Sequence, residues 1–143
     1  RGGAVLKGLD PLLVPQLLVA LAEMGHGDMV AVVDRNFPAH SCGRRTVELP
    51  AAGTVEVLRA VLSVLPLDGF GEPVVHMLTD EGTESPATPA ARGVWESTEG
   101  RTVPARGSDR RAEFYDLAAR AQVTVRTGET LPYACYLLVK GTL

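Results

Sequence analysis

A histidine flanked by glycines is the first residue in this 143-residue chain with the chemistry to move a proton. His26 lies in the segment Gly25-His26-Gly27-Asp28, after a stretch of helical periodicity and before an apolar run. Because glycines leave the backbone free and the imidazole uncrowded, the ring is open to a ligand. Imidazole titrates near neutral pH, so it can donate and accept a proton in one cycle. The alternative is a loop histidine in a helix-ending turn.

A carboxylate stands where the first apolar run ends. Met29–Val33 is continuously apolar, as is typical of a strand covered on both faces of a parallel sheet, and Asp34 follows it directly. Open α/β sheets bind ligands beyond the carboxyl ends of their strands. A carboxylate there can accept hydrogen bonds from sugar hydroxyls. The alternative role for Asp34 is to cap the turn that follows.

Three more candidate residues lie in the last third of the chain. Arg111 begins a predicted helix, although basic pairs such as Arg110-Arg111 are usually solvated. Tyr133 precedes the final apolar run, and its phenol offers a hydrogen-bond donor and a flat apolar face, both of which sugar sites use. Cys135 stands between apolar residues and is most simply a small buried side chain.

Metal or nucleophilic chemistry has little support in the sequence. His26, Asp28, Asp34 and His40 are conceivable ligands, but they form no HxH or HExxH pair. His76 lies within an apolar strand pattern, which favours a core or interface histidine. There is no glycine-rich phosphate loop, no GxSxG motif and no local Cys/His pair. We therefore expect no metal site.

Helical and strand patterns alternate along the chain and must position these residues. The first predicted helix begins near Asp10-Pro11 or Pro15 and ends at Gly25. The second begins at Thr54 and ends at Pro66, and the third begins after a capping Ser108. Predicted strands cover 29–33, 74–78, 123–126 and 135–139. Residues 80–108 are predicted to be a long loop with a short helix over 89–95. The alternation indicates one α/β layered domain over 5–143, with residues 1–4 an added or processed remnant.

Composition excludes several classes of function. The net charge of −3 disfavours a general nucleic-acid binder. No apolar run approaches the roughly 18 residues that a membrane span needs, so we expect no membrane partner. Two cysteines without a framework, together with the lack of a signal-peptide pattern, favour a cytoplasmic location.

Several sequence blocks resemble the fucose mutarotase branch of the ribose pyranase/fucose mutarotase family. The N-terminal blocks are Leu6–Leu13 (LKGLDPLL), Leu21–Asp28 (LAEMGHGD) and Asp34–Ser41 (DRNFPAHS). The C-terminal blocks, which resemble the R-F-x-F-Y, T-G-E, Y-x-N and L-x-K-G segments of that branch, are Arg111–Tyr115, Thr127–Glu129, Tyr133-Ala134-Cys135 and Leu137–Gly141. The resemblance runs from Val5 through most of the chain and is weakest between residues 80 and 109.

The resemblance implies a cofactor-free enzyme that interconverts the α and β anomers of a pyranose such as L-fucose. The acid/base histidine of the family matches His26, and its sugar-binding aspartate and arginine match Asp34 and Arg111. Its Y-x-N segment matches the substrate-binding candidates Tyr133-Ala134-Cys135. The implied fold is a three-layer, Rossmann-like α/β domain with a mostly parallel sheet. Family members assemble as rings, often two stacked pentamers, with sites at subunit boundaries.

Two departures from the family pattern leave the sugar open. Cys135 stands where the family has asparagine, and a thiol is a poor hydrogen-bond donor. Ala112 stands where the family has an aromatic residue. We expect His26 and Tyr133 to move protons on a monosaccharide while Asp34 and Arg111 hold its hydroxyls. A ribose pyranase, which uses the same open-chain aldehyde, and a non-catalytic monosaccharide-binding module are the alternatives.

Overall fold

The computed structural model describes residues 6–143, so the expectations for residues 1–4 and for a domain start at Val5 lie outside the described residues. The helices are Pro15–Glu23 (α1), Ala39–Cys42 (α2), Thr54–Leu62 (α3), Thr88–Glu99 (α4) and Arg111–Ala119 (α5). The strands are Met29–Val33 (β1), Thr46–Leu49 (β2), Val74–Met77 (β3), Ala105–Ser108 (β4), Val123–Thr127 (β5) and Tyr136–Val139 (β6). No helix of the described part is long and apolar enough to cross a membrane.

Six strands form one sheet in the order β2-β5-β1-β6-β3-β4. The β2–β5, β5–β1 and β3–β4 pairs are parallel, whereas β6 runs antiparallel to both of its neighbours. In the register, Tyr136 at the start of β6 lies beside Val32 and His76, near the ends of β1 and β3. The segment that precedes β6 therefore lies at the same sheet edge as the residues that follow the parallel strands.

Helices cover both faces of the sheet and give three layers, as predicted. On one face, Val30 and Val32 share a buried cluster with residues of α1, α3 and α4, including the fully buried Trp95. On the other face, Ala31 and Val33 pack with Phe114 and other residues of α2 and α5. Because β1 is covered on both faces, it has no solvent-facing side where polar residues would alternate with apolar ones. This explains its continuous apolar run.

The prediction of a long loop over 80–108 is wrong, but the short helix predicted within it over 89–95 is present as part of α4. The twelve-residue α4 and the edge strand β4 occupy much of it. The buried stripe of α4 consists of small, mixed side chains (Thr88, Ala91, Val94, Trp95), so its apolar periodicity is weak in the sequence. The short α2 and the edge strand β2 were not predicted, because α2 buries only Ala39 and the alternation of buried residues in β2 spans just four residues.

Of the two predicted starts for the first helix, the one at Pro15 is confirmed and the one near Asp10 is wrong. Two further predicted boundaries differ. The second helix ends at Leu62, ahead of Pro66. Ser108 ends β4 instead of capping α5, and its hydroxyl donates to the Glu113 carboxylate at 2.6 Å. This bond fixes the short turn between β4 and α5, so Arg111 is delivered directly to the edge of the sheet where β3 and β4 end.

Candidate active site

A cleft with a volume of about 200 Å³ opens at the sheet edge where β1 ends and β6 begins. It is lined by Asp34, Asn36, Phe37, Met77, Arg111, Tyr115, Pro132, Tyr133 and Cys135. Four of the predicted site residues thus come together from three separate parts of the chain. A cavity of similar size near α1 has an apolar lining and a single charged residue, Asp10. The polar groups, rather than the volume, single out the cleft at the sheet edge.

Asp34 lies at the inner wall of this cleft. Its side chain is buried, with 8% exposure, and Oδ1 accepts a hydrogen bond from the Asn36 backbone N–H at 3.0 Å. The turn-capping role and the site position are therefore compatible. Burial raises the pKa of Asp34 above its ordinary value, although hydrogen bonds from Asn36 and the Cys135 thiol counteract part of this rise. Asp34 is thus a desolvated acceptor, held rigidly beside the cleft.

Tyr133 adopts a backbone conformation that non-glycine residues rarely take. Its φ is 60°, and it is the only non-glycine residue with positive φ among residues 6–143. Such a conformation costs an L-residue about 1–2 kcal/mol, and strain of this kind concentrates at functional sites. Its hydroxyl donates to Asp80, which raises the pKa of Tyr133 above its ordinary value, and Arg111 Nη2 lies 3.5 Å from the same carboxylate. Asp80 therefore joins Arg111 and Tyr133 at the rim of the cleft.

Cys135 and Ala134 have different positions. Cys135 lines the cleft while 1% exposed, and burial raises the pKa of its thiol well above the ordinary value, so it stays protonated and donates to Asp34. Ala134 is not among the lining residues. Its side chain packs in the cluster on the other face of the sheet, and its carbonyl accepts a hydrogen bond from Thr54 Oγ1 at 3.2 Å.

The structure places His26 away from this cleft. His26 precedes β1 and Asp34 follows it, so the strand separates them by about 20 Å at some 3.3 Å per residue. The imidazole is 52% exposed, and its Nε2 lies 3.2 Å from Asp68 Oδ1. The hydrogen bond with His26 lowers the pKa of Asp68, so that carboxylate stays ionised and orients the ring. Within one chain, an exposed His–Asp pair and the cleft lie at opposite edges of the sheet.

The two carboxylates that complete these arrangements, Asp68 and Asp80, were not identified from the sequence. Asp80 comes two residues after the predicted strand 74–78, so the strand-end argument that identified Asp34 also applies to it. Asp68 carries no such signal, because its partner His26 lies 42 residues away.

The other two histidines have structural surroundings. Nε2 of His40 lies 2.6 Å from Glu48 Oε2, whose carboxylate also binds Arg126. His76 is buried in β3 and stacks on Trp95. Among residues 6–143, no three His, Cys, Asp or Glu side chains are grouped to hold a metal ion.

Comparison with known proteins agrees with this architecture. A model of the RbsD / FucU transport protein family matches residues 7–143. The chain belongs to this family. This RbsD/FucU chain is 39% identical to human fucose mutarotase over 149 residues, which cover 96% of the chain and 94% of the human protein. The resemblance identified from the sequence blocks is thereby confirmed.

Solved structures of similar proteins have the same fold. The fucose mutarotase from Streptococcus pneumoniae, crystallised in complex with L-fucose, has a TM-score of 0.89 and 30% identity, with 96% of this chain and 99% of that chain covered. Protein Atu2016, described as a putative sugar binding protein, has a TM-score of 0.92 and 33% identity, with 100% and 99% covered. The three-layer fold with a mostly parallel sheet is therefore shared with proteins described as sugar-handling.

Proposed function

We propose that this protein is a fucose mutarotase, an isomerase that interconverts the α and β anomers of L-fucose without a cofactor. The observation that carries the proposal is the cleft, which unites Asp34, Arg111 and Tyr133 at one edge of the sheet. The identity of 39% to human fucose mutarotase and the similarity to a fucose mutarotase in complex with L-fucose support this substrate.

Mutarotation requires only balanced proton transfers. A base removes the proton from the hydroxyl at C1 while an acid protonates the ring oxygen, and the bond from C1 to the ring oxygen breaks. The open aldehyde rotates about C1–C2, and the ring oxygen then attacks the other face of C1 as the protons return. Positioned acid and base groups contribute roughly 10²–10⁴-fold to such steps, and fixing the sugar relative to them adds to this.

The cleft supplies binding groups and one proton-transfer group. Asp34 accepts hydrogen bonds from sugar hydroxyls, and Arg111 stabilises negative charge on an oxygen as the ring opens. The raised pKa of Tyr133 keeps its phenol protonated, and a bound sugar oxygen would replace Asp80 as the acceptor of its one proton. Among residues 6–143 no histidine lines the cleft, so an imidazole that acts there has to come from outside it.

We infer that His26 of a second copy of the chain supplies this group. The ring is exposed and already oriented by Asp68, but it lies about 20 Å from the cleft of its own chain. In a head-to-tail association, the side of the sheet where β1 begins faces the side of the next copy where β1 ends. This brings the His–Asp pair to a neighbouring cleft. Repeated around an axis this contact closes a ring, and a pentamer or a decamer of two stacked pentamers is our proposal.

A cytoplasmic location also belongs to this proposal. Both cysteines of the chain, Cys42 and Cys135, are free thiols, which suits a reducing compartment.

Saturation-transfer NMR on equilibrated L-fucose tests the function directly. Irradiating one anomeric proton signal should diminish the other when the protein is present, because the enzyme exchanges the anomers. His26→Ala should abolish the transfer and leave circular dichroism unchanged, since the side chain is exposed. Sugar binding without faster exchange would instead indicate a monosaccharide-binding module. With D-ribose, transfer between pyranose and furanose signals that exceeds transfer in L-fucose would indicate a pyranase.

A further inference from the structure

The carboxylate of Glu129 holds the segment that leads to Tyr133. Its Oε1 accepts a hydrogen bond from the N–H of Thr54, the first residue of α3, at 3.1 Å. Its Oε2 accepts two more, from the N–H groups of Thr130 and Leu131 at 3.1 and 3.2 Å. A carboxylate has enough lone pairs for all three bonds. The turn before Tyr133 is thus tied to the end of a helix in the body of the domain.

The backbone of Glu129 also reaches the segment that carries Asp34. Its carbonyl accepts the N–H of Arg35 at 3.2 Å, and its own N–H donates to Thr127 Oγ1 at 3.1 Å. The Thr127 hydroxyl donates to the carbonyl of Val33 at 2.8 Å. Residues on both sides of Asp34 are therefore held by Thr127 and Glu129, so a single short turn fixes both walls of the cleft.

Close packing leaves this turn little room to move. A Cβ on Gly128 would lie 2.0 Å from the carbonyl oxygen of Pro50, and a Cβ on Gly53 would lie 3.0 Å from Glu129 Oε1. The first distance rules out a side chain at residue 128 without a backbone shift, and the second is tight enough that the Glu129 carboxylate would have to move. The glycines thus allow the backbone of the turn and the start of α3 to approach closely enough for the carboxylate to bridge them.

Glu129 acts on Asp34 through its charge as well. Its negative charge raises the pKa of Asp34, in addition to the larger effect of burial. The other polar groups around Asp34 are the Cys135 thiol, which donates to it, and Arg111 and Tyr133, which line the same cleft. Replacing the charge of Glu129 with a neutral group should therefore lower the pKa of Asp34.

We propose that Glu129 is a positioning residue for the sugar site, which acts through Asp34 and Tyr133 and does not touch the sugar. It does not line the cleft, and its contacts reach both walls. The proposal rests on the proposed mutarotase function, since it assigns Glu129 to the same site. It adds a determinant of sugar affinity and of its pH dependence that lies behind the contact surface.

The test compares Glu129→Gln with Glu56→Gln in kcat and KM for L-fucose anomer exchange between about pH 4 and pH 8. Glu56 is a matched control, because its carboxylate also accepts a backbone N–H at the start of α3, in this case from Gly53 at 3.2 Å. In Glu129→Gln the side-chain NH₂ must face one of the three N–H donors, so kcat/KM should fall roughly tenfold or more. The acid limb of the profile should move to lower pH, because ionised Asp34 persists further into acid. Glu56→Gln should leave both quantities unchanged.

Glu129→Asp separates charge from geometry. It keeps the negative charge but is one carbon too short for all three bonds, so kcat/KM should fall while the acid limb stays in place. A wild-type kcat/KM and acid limb in folded Glu129→Gln would overturn the proposal. If that variant does not fold, a wild-type kcat/KM in Glu129→Asp overturns it instead. Absence of exchange in the wild-type protein is a different result, because it refutes the mutarotase function itself.

Discussion

Restoring activity by mixing two inactive variants is the sharpest consequence of a site shared between chains. His26→Ala removes the imidazole and leaves the cleft intact, whereas Tyr133→Phe removes the phenol of the cleft and leaves the His–Asp pair intact. We expect each variant alone to be inactive in L-fucose anomer exchange. Co-expressed in equal amounts, the two should form mixed assemblies with active sites where an intact cleft meets an intact His–Asp pair.

The magnitude follows from geometry and counting. Proton transfer requires the donor and acceptor atoms to lie roughly 3 Å apart, and β1 separates His26 from its own cleft by about 20 Å. A working site therefore needs one chain of each kind in a fixed order. With random mixing the two probabilities multiply, so about a quarter of the sites are active at equal amounts, in a closed ring or a dimer. At other ratios the activity should follow the product of the two fractions.

The assay is saturation transfer per mole of total chain, measured across mixing ratios. A control pair, His26→Ala with Asp68→Asn, should show no recovery, because both substitutions damage the same His–Asp pair. The reasoning is refuted if size-exclusion chromatography shows mixed assemblies while their activity equals the weighted mean of the separate variants. In that case each chain would carry a complete site.

Three other results are expected. Burial lowers the pKa of His76, so the unfolded chain takes up a proton at higher pH than the folded chain, and stability falls as pH drops below about 6.5. In urea unfolding, His76→Leu should lack this loss of stability. An equal loss in the variant would contradict the prediction. Asparagine tolerates positive φ better than other side chains, so the melting temperature of Tyr133→Asn should be no lower than that of Tyr133→Phe, although both variants lack activity. If Tyr133→Asn melts several degrees lower than Tyr133→Phe, the result would argue against strain at this residue. Cys135→Ala removes a donor to Asp34, so the acid limb of L-fucose exchange should move to higher pH, and an unmoved limb would remove the thiol from the site.

The sequence predicts the centre of the fold well and its edges poorly. The apolar run of β1 is recognisable because both faces of that strand are covered. The edge strands β2 and β4 have only four residues each, some of them exposed, which is too short for a distinctive pattern. The helix α4 was underestimated because small residues form much of its buried side. Hydrophobic periodicity thus predicts the elements that are fully buried, and it predicts poorly the elements that are partly exposed.

The site shows a similar division. Strand-end reasoning identified Asp34, and the resemblance to known proteins supplied the roles expected of Arg111 and Tyr133. The sequence also implies that His26 and Asp34 lie far apart, because His26 precedes β1 and Asp34 follows it. The pairing of His26 with Asp68 depends on a contact between distant residues, which no local pattern encodes.

The reversed central strand has a consequence for how the chain matures. Strand β6 follows every other described element in sequence, yet it lies between β1 and β3 in the middle of the sheet. Until it is synthesised, β2, β5 and β1 have no hydrogen-bonded connection to β3 and β4. As long as β6 is not in place during folding, the sheet therefore consists of two unjoined halves with exposed edges, and only insertion of the last strand closes the gap. A released chain that ends ahead of residue 136 should accordingly be prone to aggregation and unable to bind the sugar.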